Sequence, residues 1–185
     1  MFILRKLTCL CLLLLLTGCG SSQPELVARI TPSDKDFDLH SHINYQIHVP
    51  KGFTTKSKGA ITVFEFANKG ILFTPNLTVQ SLKINEKVDL QDLALQMQEQ
   101  AKQRLFEFSL VDESVQTLAS GNGNQLFITQ MFNGRDSLEG PKLELVQALT
   151  VEGSDLYVIT AAYDFADNFK LAANMLDSLK TFFVN

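Results

Sequence analysis

Between Ile43 and Tyr163 the apolar residues follow two different periods, and the switch between them limits the fold more than composition does. Ile43, Tyr45, Ile47 and Val49 take every second position of "INYQIHV", the period of a strand with one buried face. "AITVFEF" at 60–66 and "NLTVQSLKI" at 76–84 read as two more strands, with Pro50-Lys51-Gly52 and Asn68-Lys69-Gly70 as stops. The period then lengthens. Leu90, Leu93, Ala94, Met97, Ala101, Leu105 and Phe108 recur at helical spacing, while Gln96, Gln98, Glu99, Lys102 and Gln103 face away. Asp89 suits the cap and Asp92 the first turn. A helix of about 19 residues spans about 28 Å, enough to cross one face of a sheet.

Four further strand-like runs follow, near 110–118, 125–132, 143–151 and 156–163. Ser120-Gly121-Asn122-Gly123 joins the first pair as a hairpin turn, because Asn-Gly tolerates positive φ. Glu152-Gly153-Ser154-Asp155 joins the second, and the polar stretch 133–142, with Gly134 and Gly140-Pro141, reads as a loop between the pairs. "LYVITAAY" is apolar almost throughout, the mark of a central strand covered on both faces. A last helix carries the stripe Phe165, Phe169, Ala172, Leu176, Leu179 and Phe183, with Asp164 as its cap. The expected architecture is α+β: an α/β/α sandwich around a mostly antiparallel central sheet, in the order βββ-α-ββββ-α, with two long amphipathic helices.

The N-terminus follows a different logic. Arg5 and Lys6 precede the run 7–16, which is apolar except for Thr8, the layout of a secretory signal. Spanning a bilayer takes about 20 apolar residues, and this run is too short. It ends in Leu16-Thr17-Gly18-Cys19, which resembles the bacterial lipobox. That resemblance implies cleavage by signal peptidase II before Cys19, a diacylglyceryl group on its sulfur and acylation of the new N-terminus. Each buried CH₂ adds about 0.8 kcal/mol, so three chains on one residue make the anchor practically permanent. Cys9 and Cys11 lie in the discarded part, which leaves one capped thiol and excludes disulfides, thiolate metal clusters and a cysteine nucleophile from the mature chain. By resemblance to Gram-negative lipoproteins, Gly20 after the cysteine implies the outer membrane.

The expected division is therefore a lipoprotein signal peptide at 1–18, a lipidated flexible tether at 19–38 rich in turn formers, and a single domain at 39–185. Without the signal, 14 basic and 20 acidic side chains remain. That balance disfavours nucleic acid and anionic headgroups as partners. As a flexible chain the tether would reach on the order of 25 Å.

The lipobox, "YQIHVPKGF", "NLTVQSL", the long helix, the turn after "ASGNG", and "LYVITAAYDF" running into "LDSLKTF" together resemble the DcrB-like group of bacterial lipoproteins, within the wider PsbP-like fold. The resemblance covers 43–183. It implies the sandwich, a largely non-enzymatic role in the envelope or in chaperone-like binding, and no catalytic residues that map onto this chain.

Tests for chemistry return little. His40 and His42 stand two apart, so in an extended chain their imidazoles point the same way and could share a metal with Asp36 and Asp38. They are weak metal candidates beside the reading of a solvated linker. His48 falls on the polar face of its strand with Asn44 and Gln46, and is expected at the surface. Asp34, Asp36 and Asp38 begin like a calcium loop, but Leu39 and Tyr45 stand where Gly and Glu are required. Ser120 lies in a turn far in sequence from any histidine, and phosphate-loop spacing is missing. Glu144, Glu152, Asp155 and Asp164 read as solvated charges.

The expectation for function is a lipid-anchored periplasmic binding or assembly module without enzymatic activity or cofactor. Its membrane contact is the anchor, and its partner is another envelope protein met at a sheet edge or at the loops near Gly70 and Gly134. The alternative is a carrier or chaperone for a small hydrophobic ligand or apolar peptide, which calls for an internal cavity of several hundred Å³. An enzyme would need a cleft that joins His42 or His48 to a buried carboxylate.

Overall fold

The computed structural model describes residues 25–27, 30, 32–68, 73–84, 88–120, 123–164 and 169–185. Six strands come first: β1 (Glu25–Val27), β2 (Phe37–Ser41), β3 (Tyr45–Pro50), β4 (Phe53–Lys58), β5 (Ile61–Phe66) and β6 (Asn76–Lys83). Helix α1 (Leu90–Arg104) leads to β7 (Phe106–Ser120), β8 (Gly123–Arg135), β9 (Leu143–Glu152) and β10 (Asp155–Asp164). Helix α2 (Phe169–Thr181) and the short β11 (Phe183–Val184) close the chain.

Eight strands make one sheet in the order β1-β7-β8-β9-β10-β6-β5-β4, and β11-β3-β2 make a second. All pairings are antiparallel except β1 with β7. Alternation along β10 divides the core. Leu156 and Val158 join Leu149 against Leu93, Leu90 and Met97 of α1. Tyr157, Ile159, Ala161 and Tyr163 join Met175 and Leu179 of α2 together with Tyr45, Ile47 and Val49 of β3. Fully burying one such Leu or Met is worth about 1.5–3 kcal/mol, so each face holds its covering layer firmly.

The layers differ from the expected sandwich. One outer layer is α1, but the other is half strand: α2 lies beside β3, and the His48 N–H donates to Thr181 Oγ1 at 2.9 Å. The strand of Tyr45, Ile47 and Val49 thus covers the large sheet and does not join it. Four strands escape the expected order. "FTTKSK" of β4 has a single half-buried apolar residue and so no buried period to read; it is an edge, and lysines there discourage further pairing. β2 begins at Phe37, which is buried, ahead of the boundary expected at 39, and β1, within the expected tether, pairs with Gln116–Leu118. β11 has two residues.

Both helices are shorter than their stripes suggest. Asp89 caps α1 as expected, its Oδ1 accepting from Gln91 N–H at 2.7 Å. Leu105 is already extended, and Phe106 and Phe108 belong to β7. Their spacing fits helix and strand alike, and the contact of Phe108 with Phe132 at 5.5 Å goes with the strand. Phe169 opens α2 and is 91% exposed, not buried; Asp164, expected as the cap, is the last residue of β10, and Phe165 lies outside the described residues. Gly134, expected in a loop, is inside β8, where a Cβ would come within 2.8 Å of Leu105 Cβ. That close approach admits only glycine.

A pocket between the two sheets

Where β3 starts, the small sheet overhangs the large one beside β5, β6 and β10. The gap is a cavity of about 250 Å³ walled by His42, Asn44, Tyr45, Thr62, Ser81, Lys83 and Asp155, with the Gly59-Ala60 turn closing one side. Register explains the gathering. Thr62 faces Val79 across β5 and β6, and Ser81 faces Tyr157 across β6 and β10, so these side chains share the face that β3 covers. Lys83 and Asp155 are cross-strand neighbours at the strand ends, and their ion pair measures 2.8 Å.

Tyr45 is the pocket's fixed point. Its ring stacks on His42 at 4.8 Å and on Phe182 at 5.4 Å, and the residue is 2% exposed. Its hydroxyl is buried. Burial pushes that hydroxyl's pKa up, and a side-chain hydrogen bond with Thr62, whose Oγ1 also meets Ser57 Oγ at 3.1 Å, opposes the rise. Burial also raises Tyr157, with Asp155 adding to the effect and the Ser81 hydroxyl opposing it.

The surroundings of the histidines are aromatic. His40 and His42 do meet on one side of their strand, at Tyr45. His40 lies edge-on to Phe64 at 4.8 Å, and its Nε2 is buried without a partner. Burial lowers its pKa, and His42 lowers it further. Among the described residues no three His, Cys, Asp or Glu side chains come together, so Asp36 and Asp38 do not complete the set. Asp36 instead faces Lys170 at 3.8 Å. His48 is half-buried, with a buried, unpartnered Nδ1, because α2 runs alongside β3; the expectation of a surface position fails there.

His42 and Asp155 do share the pocket, the pairing an enzyme would require. Asp155 is held by Lys83, and His42 Nδ1 accepts from the Asn44 N–H at 3.4 Å. Thr62 Oγ1 meets Ser57 Oγ at 3.1 Å, and the Ser81 hydroxyl is turned to Tyr157. Of the remaining acids, Glu144 is not simply solvated, since it accepts a hydrogen bond from the buried Tyr163 hydroxyl. Cys19 and Gly70 lie outside the described residues, as does the side chain of Ser120. No helix among the described residues is long and apolar enough to cross a membrane.

The fold has solved counterparts. The solution structure of the cyanobacterial PsbP protein CyanoP, from Synechocystis sp. PCC 6803, superimposes with a TM-score of 0.57 at 16% identity, over 92% of this chain and 99% of that one. The crystal structure of PA94, a protein of unknown function from Pseudomonas aeruginosa, gives a TM-score of 0.54 at 15% identity, over 78% and 94%. The chain therefore has a PsbP-like fold. No protein-family model matches it, and no curated protein does.

Proposed function

We propose that this chain is a lipid-anchored envelope lipoprotein of the DcrB-like group, held by Cys19 at the periplasmic face of the outer membrane and acting as a non-enzymatic binding or assembly module. The lipobox-like Leu16-Thr17-Gly18-Cys19 supports the anchor. The observation that carries the binding role is the free edge of β7. Among the described residues this edge is paired only at Gln116–Leu118, while Phe106, Leu110 and Val111 beyond it stay 45%, 40% and 50% exposed. An unpaired edge offers backbone groups to an extended segment of another protein, and flanking apolar side chains add specificity. Register shifts between Phe106 and Ser109 and between Leu110 and Asp112 blunt that edge against indiscriminate pairing. The carrier alternative calls for a cavity of several hundred Å³, and the pocket between the sheets holds about 250 Å³.

The test uses cells that make the full chain with a photo-crosslinking residue at Val111 or, as a control, at Lys56 on the opposite edge. A discrete envelope-protein adduct at Val111, absent at Lys56 and lost when Cys19→Ser frees the chain from membranes, is the expected result. Retention of the Cys19→Ser chain by membranes after a high-salt wash would refute the anchor. Equal adducts at both edges would refute the binding surface.

A further inference from the structure

We infer that the end of the domain where α1 runs into β7 rests on the phospholipid surface, with Phe106, Leu110 and Leu138 entering the headgroup boundary. The inference rests on the anchoring at Cys19 proposed above and goes beyond it, because it gives the folded domain a bilayer contact of its own. Side chains at one end make that contact, and it does not use the backbone edge between Val111 and Gln116.

The direction of β1 sets the geometry. β1 and β7 are parallel, with Glu25 opposite Gln116 and Val27 opposite Leu118. Traced backwards from Glu25, the chain therefore heads towards Phe106 and away from Ser120. Six peptide steps lead from Glu25 to Cys19, a reach of at most about 20 Å. Six positions also separate Gln116 from Leu110 along β7, about 20 Å at 3.3 Å each. The point where the acyl chains enter the bilayer thus lies no farther from Glu25 than Leu110 lies from Gln116, and β7 points its first residues to that side. Phe106, about 13 Å farther along, meets the same plane when the strand is tilted.

What stands at that end suits a lipid surface. Phe106 is the cross-strand neighbour of Arg135. Arg135 Nε donates to Glu107 at 2.9 Å, and its Nη1 donates to the Gly140 carbonyl, so the turn 136–142 is folded back beside the start of β7. Leu138 projects from that turn at 75% exposure. Lys102 and Arg104, both exposed, close α1 just before Phe106. Apolar side chains flanked by Lys and Arg are the composition of an interfacial surface. An acidic chain would not find the bilayer by charge alone; the anchor supplies the proximity. Once tethered, the contact is intramolecular and its effective concentration is high, so three side chains suffice where a free domain would need more.

The experiment measures nitroxide accessibility on the full lipidated chain in vesicles of phosphatidylethanolamine with a minority of phosphatidylglycerol. Cys9 and Cys11 leave with the signal and lipid caps the Cys19 sulfur under the proposed anchoring, so an introduced cysteine is the one reactive thiol. Labels go at Phe106→Cys and Leu138→Cys, with Ile43→Cys, 83% exposed, and Lys56→Cys on the far edge β4 as controls. Oxygen concentrates in lipid and a nickel chelate stays in water. The ratio of oxygen to nickel accessibility at Phe106 and Leu138 should exceed that at both controls by roughly threefold or more, as burial in the headgroup boundary requires. Unchanged far-ultraviolet circular dichroism shows that a labelled chain is folded, and Leu138, on an exposed turn, carries the test if Phe106→Cys does not fold. A lipidated chain whose labels all read alike overturns this inference and leaves the anchor standing. Loss of access to both reagents at Phe106 and Leu138 means that a protein, a second copy included, covers them, and it overturns the inference too. A chain whose mass shows no acyl groups refutes the anchor, and this contact falls with it.

Discussion

Raising the pH should leave every tyrosine of this chain protonated until the fold itself opens. There are three, Tyr45, Tyr157 and Tyr163, and no tryptophan, so absorbance at 295 nm reports these hydroxyls alone. All are 5% exposed or less. Burial is the main cause of an upward shift in each, and the Glu144 carboxylate adds to it at Tyr163, where the rise is largest. The sign follows directly: the unfolded chain releases these protons near pH 10 and the folded one holds them to higher pH, so stability is complete below about pH 10 and is lost above it. A hydroxyl that stays neutral in the fold lowers stability by about 1.4 kcal/mol for each pH unit above 10. Tyr163 alone removes about 2.7 kcal/mol by pH 12 on that slope, against a total of roughly 5–15 kcal/mol for a domain; Tyr45 and Tyr157 act in the same direction. The expected trace is flat through pH 10, with one cooperative rise that coincides with loss of far-ultraviolet circular dichroism. If a third or more of the amplitude titrates near pH 10 with the dichroism intact, at least one tyrosine is not buried as described and the reasoning fails.

The acid limb should involve His40. Burial and His42 hold its pKa below 6.5, so stability present above that value falls as the pH drops through it, and His40→Phe should flatten urea midpoints measured between pH 7 and pH 5. Gly134→Ala should destabilise by about 1–3 kcal/mol in urea unfolding, because the new Cβ meets Leu105 Cβ at 2.8 Å in a buried strand. Phe182, fully buried against Tyr45 and Tyr157 with both ring centroids at 5.4 Å, should cost about 3–5 kcal/mol on truncation to Ala. Phe169→Ala, at an exposed position, should stay within about 0.5 kcal/mol in the same assay.

Elements with a strong apolar period were legible in the sequence, and those without one were not. β3, β5, β6 and the four long strands β7–β10 appear close to the expected runs, and β10 is the doubly covered central strand that "LYVITAAY" implies. β4 and β2 bury too little to leave a period, and β1 is held by backbone pairing over three residues, which has no side-chain signature. Helix ends were misplaced where Leu105 to Phe108 satisfy both periods at once, a conflict settled by tertiary contact with Phe132. The pocket was not legible. Its wall joins residues from 42 to 155, and only the pairing of β6 with both β5 and β10 brings Thr62, Ser81 and Asp155 to one place. A single hint was present: Tyr45 carries a polar tip at a core position, and such a tip asks for a partner.

The pairing of β1 also changes what the proposed anchor does. A wholly flexible stretch from Cys19 to the domain would let the fold wander some 25 Å from the bilayer. With Glu25–Val27 docked on β7, only six peptide steps separate Cys19 from the sheet, a span of at most about 20 Å when fully extended. The lipid then holds one particular edge of the domain towards the membrane. That edge is β7, where Phe106, Leu110 and Val111 are exposed beyond the described pairing with β1, whereas the pocket opens beyond β9 on the opposite part of the sheet. Under the proposed anchoring, a protein captured along β7 is selected from those at the membrane surface. Three parallel pairs are a weak clamp, since parallel ladders are slightly less stable per residue. A partner that added itself along β7 in register with β1 would strengthen it by extending the same sheet, so the tether's reach and the partner's binding are coupled through one strand.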